Sequence, residues 1–250
     1  MKTSSLLVAA GVLLAGSAMA QTWTASGGFD YTTGDYGGSG DTDILTLPFS
    51  AKYDVDRWTY KLTVPYVRIS GSTDVVSGVG RVDRPGKRAG GGTDSGLGDP
   101  VFSATYATLI DPDQPKLDLT GKLKLGVADE DLGTGASDLM FQADVYHTFG
   151  EWTPFGTLGY RFLGDPDGGS LKNGFYVSAG ASYRLDDPTH VGAVFDWRQR
   201  TVSGSDNALE LTGFVTRRLN EVWKAQAYLL KGFTDASPDY GMGGSLSYEF

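Results

Sequence analysis

Cysteine is absent from this chain of 250 residues, and histidine occurs twice. No stretch beyond the N-terminus approaches the ~20 apolar residues that a membrane helix needs. Without cysteine no disulfide can staple an exported fold, so the backbone ladder and side-chain packing must hold it together. Two histidines leave little material for a nucleophile, base and orienting group arranged together. Basic residues are outnumbered 21 to 30, and the pI is near 4.6. That balance argues against nucleic acid as a partner, because phosphates want a basic face. Nowhere does a segment of helical period run long enough to compete with the strand pattern described next.

What is present is alternation. Reading back from the end, Phe250, Tyr248, Leu246, Met242 and Tyr240 share one face, and Glu249, Ser247, Ser245, Gly243 and Gly241 share the other. Successive side chains on a strand point to opposite faces, so this period of two makes one apolar side and one small, polar side. A strand with aromatics at both ends of its apolar face, closing the chain on an aromatic, fits a lipid-facing outer-membrane barrel. The closing strand with its terminal Phe resembles the C-terminal signature of bacterial outer-membrane proteins. It implies delivery to the barrel-assembly machinery through Phe250.

The N-terminus agrees. Lys2, the apolar run 6–15 and the Ala18-Met19-Ala20 site read as a secretory signal peptide over 1–20, cleaved after Ala20, with the barrel over 21–250. Gln21 rather than Cys follows the cleavage site, which argues against a lipid anchor there. Residues 1–20 hold one base and no acid, so their removal takes the net charge from −9 to −10. The 36 glycines and 40% hydrophobic content suit a barrel whose strands average to neutrality.

The pattern predicts an all-β fold, a single transmembrane antiparallel barrel of about twelve strands. The strands are expected at 22–33, 44–55, 58–70, 98–110, 116–127, 138–149, 152–163, 173–185, 190–201, 208–219, 222–233 and 239–250. Odd-to-even connectors are Gly/Asp/Ser-rich loops and even-to-odd connectors are short turns, the layout of long extracellular loops and short periplasmic turns. Trp23, Trp58, Trp152, Trp197 and Trp223 sit near strand ends, nearly all on the apolar face, where an amphipathic ring suits the headgroup level. A soluble sandwich or barrel would also alternate, but it has no need of such belts.

If the apolar face meets lipid, the other face lines a lumen. Its charged and aromatic residues include Lys122, Lys124, Asp144, Tyr146, Arg161, Tyr176, Arg184, Asp196, Arg198, Glu210, Lys224 and Tyr228. Inward bases outnumber inward acids, so an acidic protein encloses a somewhat basic interior. One reading is passage of small anionic or aromatic solutes. The other is a barrel filled and stiffened by paired charges, as small barrels are.

The loop 71–96 is the longest and carries Arg81, Arg84, Lys87 and Arg88, the expected constriction or a patch for lipopolysaccharide phosphates. Asp129, Glu130, Asp131, Asp165 and Asp167 do not show the EF-hand spacing, and no metal or cofactor is expected. An outer-membrane lipid-modifying enzyme is a further reading, but His147 and His190 both fall beside periplasmic turns. No catalytic residue is assigned.

The segment Ser95-Gly96-Leu97-Gly98-Asp99-Pro100, with Val64-Pro65-Tyr66 before it and a Gly-rich final strand ending in Phe, resembles a family of outer-membrane transporters. That family is named for the meta-cleavage pathway of phenol degradation. The resemblance implies a barrel passing small, often aromatic, compounds across the outer membrane. Within it, Gly96 and Gly98 are expected to adopt positive φ where the loop enters the strand, and Asp99 to cap backbone N–H groups at the rim. The expected partners are the lipid bilayer, lipopolysaccharide, a small-molecule solute and the assembly machinery. The rival readings are a non-conducting structural barrel and the lipid-modifying enzyme.

Overall fold

The computed structural model describes residues 21–72, 75–76, 80–81, 91–108, 114–129, 131–166 and 169–250. The expected leader, 1–20, lies outside them. Fifteen strands and no helix occur among the described residues. The first seven are β1 (Thr22–Gly34), β2 (Thr42–Val55), β3 (Trp58–Ser72), β4 (Val75–Val76), β5 (Gly80–Arg81), β6 (Gly91–Leu97) and β7 (Val101–Ala107). The next four are β8 (Lys116–Lys124), β9 (Asp138–Tyr146), β10 (Trp152–Phe162) and β11 (Gly174–Asp186). The last four are β12 (Thr189–Arg198), β13 (Ala208–Arg218), β14 (Trp223–Gly232) and β15 (Tyr240–Glu249).

All pairings are antiparallel; β3 pairs with β6 and β7, the other pairs join neighbours in the chain, and β15 closes on β1 with Tyr248 opposite Ala25. Beyond the paired residues, Phe250 N donates to Trp23 O at 2.8 Å. The large sheet has thirteen segments, but β6 and β7 both pair with β3 and share one place in the wall, so the barrel is twelve-stranded. Closure removes every free strand edge of the wall, the one sheet solution a bilayer tolerates.

Alternation decides which way each side chain points. Leu158, Phe195, Leu211 and Leu229 stand on the outside, 42–69% exposed, while Thr157, Val194, Thr212 and Leu230 beside them are buried inside. Four tryptophans sit directly opposite a tyrosine on the next strand: Trp23–Tyr53, Trp58–Tyr106, Trp152–Tyr183 and Trp223–Tyr248. Their ring centroids are 4.6–4.9 Å apart. All four pairs stand at the short-turn end, forming one aromatic girdle of the kind that marks a membrane interface.

Two expectations about the wall need correction. The segment 71–96 is not one loop: β3 runs on to Ser72 and residues 91–97 pair back onto it, Tyr66 with Leu97 through Ser72 with Gly91. The fourth strand is accordingly broken at 98–100 rather than beginning there.

Candidate functional site

The register arranges the inward side chains in rows that cross the strands. One row is basic: Lys52, Lys61, Ser103, Lys122, Met140 and Arg161 stand successively opposite one another on β2, β3, β7, β8, β9 and β10. A second is acidic: Asp118, Asp144, Thr157, Ser178, Asp196 and Glu210 do the same from β8 to β13. Between them lie Thr120, Gln142, Gly159, Tyr176 and Arg198. Because barrel strands are tilted, each row climbs the wall as it goes round. The basic row starts near the 56–57 turn and ends at the outer mouth.

The two rows differ in how they are satisfied. Asp144 accepts from Thr157 Oγ1 and Gln142 Nε2, both at 2.6 Å, and Tyr176 Oη donates to Gln142 Oε1 at 2.8 Å. Tyr146 Oη donates to Asp118 at 3.4 Å, Ser178 donates to Asp196, Tyr228 donates to Asp30, and Arg198 pairs with Glu210. In the basic row Lys52 pairs with Asp54 at 2.6 Å. Lys61 and Lys122 have neither an ion pair nor a hydrogen bond among the described residues; Asp144 is the acidic neighbour of Lys122.

The inward aromatic rings lie flat on the wall for a reason visible only in the register. Phe155, Tyr176, Phe214 and Tyr228 each stand directly opposite a glycine: Gly180, Gly159, Gly192 and Gly243. A Cβ on any of these glycines would approach the ring to 2.2–2.6 Å. The missing side chain is the space the ring occupies. Gly159→Val is therefore expected to dislodge Tyr176 and its bond to Gln142. It should cost about 1–3 kcal/mol as overpacking does, read from the urea unfolding curve of the refolded barrel.

At the outer mouth the wall is clamped. Lys124 is fully buried, with Nζ 3.1 Å from Asp99 Oδ2, 2.9 Å from Asp138 Oδ2 and donating to Thr134 Oγ1 at 2.9 Å. Asp99 Oδ1 accepts from the N–H groups of Val127 and Ala128 at 3.0 and 2.8 Å, the rim cap anticipated for it. Asp138 Oδ1 accepts from Gly164 N at 2.9 Å. One cation thus ties the loops 125–137 and 163–173 to the barrel. Leu132 of the first loop is buried with Tyr36, Ile44, Val67, Ile69 and Val75 in an apolar cluster. Burial pushes the Tyr36 hydroxyl up to about 12, so it stays protonated.

Val75, from the hairpin of β4 and β5, is buried in the same cluster as Leu132, so both segments reach the mouth. Of the expected constriction residues, Arg81 lies in β5, and Arg84, Lys87 and Arg88 lie outside the described residues. Gly96 and Gly98 do not take positive φ. They are glycine for want of space: an added Cβ would meet Leu132 Cδ1 at 2.8 Å and Val67 Cγ2 at 2.7 Å.

All twelve residues singled out for the lumen fall on the inner face, but not in one site. Lys124 is consumed by its carboxylates. Arg184 stands at the short-turn rim beside Glu151 at 3.5 Å, and Lys224 lies near Lys52 and Arg218. His147 packs edge-on to Phe149 at 4.2 Å, and His190 lies near Lys224 and Arg184, both at the short-turn end. Asp138, Thr134 and Leu132 were not anticipated. Their roles depend on loops meeting strands far away in sequence, and no local spacing signals that.

The sequence model of the family described as "Putative MetA-pathway of phenol degradation" matches residues 18–250. Among solved structures, the barrel is similar to an outer membrane channel from Pseudomonas putida F1. The TM-score is 0.69 at 16% identity, over 94% of this chain and 97% of that one. It is also similar to the beta domain of the Bordetella autotransporter BrkA, with TM-score 0.59 and 15% identity over 92% and 99% of the two chains. A KdgM porin aligns with TM-score 0.53 and 9% identity over 90% and 99%. No curated protein matches the chain by sequence. At these identities the likeness is one of fold.

Proposed function

The chain belongs to the MetA-pathway phenol-degradation family, and from that membership and its closed, charge-lined barrel we propose a passive outer-membrane channel for small solutes. The observation that carries this reading is the basic row. An interior serving only to fill and stiffen the barrel would pair its buried charges. Lys61 and Lys122 face inward with no such partner. The lumen thereby favours anions, and Tyr146, Tyr176 and Tyr228 offer aromatic surface to a passing ring. The channel is reached through export, cleavage after Ala20, and recognition of Phe250 by the assembly machinery. Bilayer lipid surrounds the wall and lipopolysaccharide its outer rim.

The test is single-channel recording of the refolded mature chain in a planar bilayer under a KCl gradient. Discrete, anion-preferring steps are expected. Replacing both Lys61 and Lys122 by Gln should move the reversal potential toward that of a non-selective pore. A silent bilayer from folded protein would overturn the reading. The apolar cluster of Leu132, Tyr36 and Val75 on Ile44, Val67 and Ile69 favours a second reading, a non-conducting barrel closed at its outer mouth, and silence would establish it.

A further inference from the structure

At the outer mouth a small, half-open recess is walled by Arg161, Arg198, Arg200, Thr201, Ser205 and Asp206, among others. Three arginines line it: Arg161 at the top of β10, Arg198 at the end of β12 and Arg200 just beyond. Arg161 is 2% exposed. Its Nη2 donates to Gln199 O at 3.2 Å, but its Nε is buried without a partner. No carboxylate stands within ion-pair distance of it among the described residues. A buried donor left unmade is costly, more so when it is charged. The guanidinium of Arg198 lies close enough to repel it.

The acids nearby do not settle this account. Glu210 neutralises Arg198, and Asp206 lines the recess. Asp138, the acid whose field Arg161 feels, is already held by Lys124 and by Gly164 N. Among the described residues that line the recess, three arginines stand with one carboxylate, Asp206. A planar, bidentate oxyanion is the ligand a guanidinium fork fits best.

We propose that Arg161, Arg198 and Arg200 form an oxyanion subsite at the outer mouth, which takes the carboxylate or phosphate group of a small solute before it enters the lumen. Arg161 also ends the basic row, two positions along from Lys122 through Met140, so an anion released inward meets that row next. The subsite deepens the channel reading and rests on it for its purpose, though binding itself needs no conduction.

The experiment is calorimetric titration of the refolded mature chain in neutral detergent, at low ionic strength, with sodium benzoate and separately with inorganic phosphate. Saturable binding of one ion per barrel is expected from at least one, and the pair separates carboxylate from phosphate preference. Arg161→Gln should weaken it about tenfold or more, as loss of a charge-assisted pair does. Arg200→Gln, at an exposed position that spares the fold, should weaken it about threefold. Arg57→Gln, at the opposite end of the barrel, should leave it unchanged. Absence of saturable binding by both probes overturns the subsite, as does unchanged affinity in Arg161→Gln. Should that variant not fold, unchanged affinity in Arg200→Gln overturns it instead. Binding by a barrel that does not conduct would end the channel reading and leave the subsite; conduction without binding would do the reverse.

Discussion

Lys124→Met is expected to destabilise the folded barrel by about 3–5 kcal/mol and to release the loop 125–137 from its mouth. Removing one member of a buried ion pair costs that much because the other member stays buried and uncompensated. Here two carboxylates, Asp99 and Asp138, would be left facing each other with only backbone N–H donors between them. Urea unfolding of the refolded protein reads the stability. Limited proteolysis within 125–137 and single-channel conductance read the loop, and both should rise. Adding Asp99→Asn and Asp138→Asn to Lys124→Met should restore most of the loss, since a buried ion cluster replaced whole by neutral groups is often close to neutral. An unchanged unfolding midpoint in Lys124→Met would show that something else holds the loop.

Lys124 also shows where sequence reading succeeds and where it stops. Its face follows from parity alone: Asp118, Thr120, Lys122 and Lys124 alternate with Leu117, Leu119 and Leu123, and the register keeps that parity round the whole wall. Strand positions were legible for the same reason, because period two is local and a bilayer punishes every error in it. Its partners were not legible. Asp99 comes from the break between β6 and β7, Asp138 from the start of β9, and Thr134 from a loop folded back into the mouth. The same limit hid the ring-on-glycine pairs. Phe214 and Gly192 are each ordinary in sequence and become a unit only when Gly192 is opposite Phe214. The length and charge of 71–96 drew attention to that segment, yet its last residues extend the wall through the ladder with β3.

Leu158→Arg tests the premise beneath all of this, that the apolar face meets lipid. Leu158 stands mid-strand on β10, 56% exposed, between the inward Thr157 and Gly159. On a water-facing surface the change would shift stability by no more than about 0.5 kcal/mol, as most surface substitutions do. At the midplane of a bilayer the same guanidinium costs about 2–4 kcal/mol. Leu219→Arg supplies the depth control. Leu219 is equally accessible, at 53%, but follows the end of β13 at the short-turn rim, where the cost falls to about 0–1 kcal/mol. Unfolding of both variants from lipid vesicles should therefore separate them by at least about 1 kcal/mol, Leu158→Arg being the weaker. Arg68, Arg217 and Lys231, all outward by parity, stand near strand ends, as this depth dependence requires. Equal stability of the two variants in vesicles would mean that the face is not buried in lipid, and the channel, the mouth and its clamp would then need a different setting.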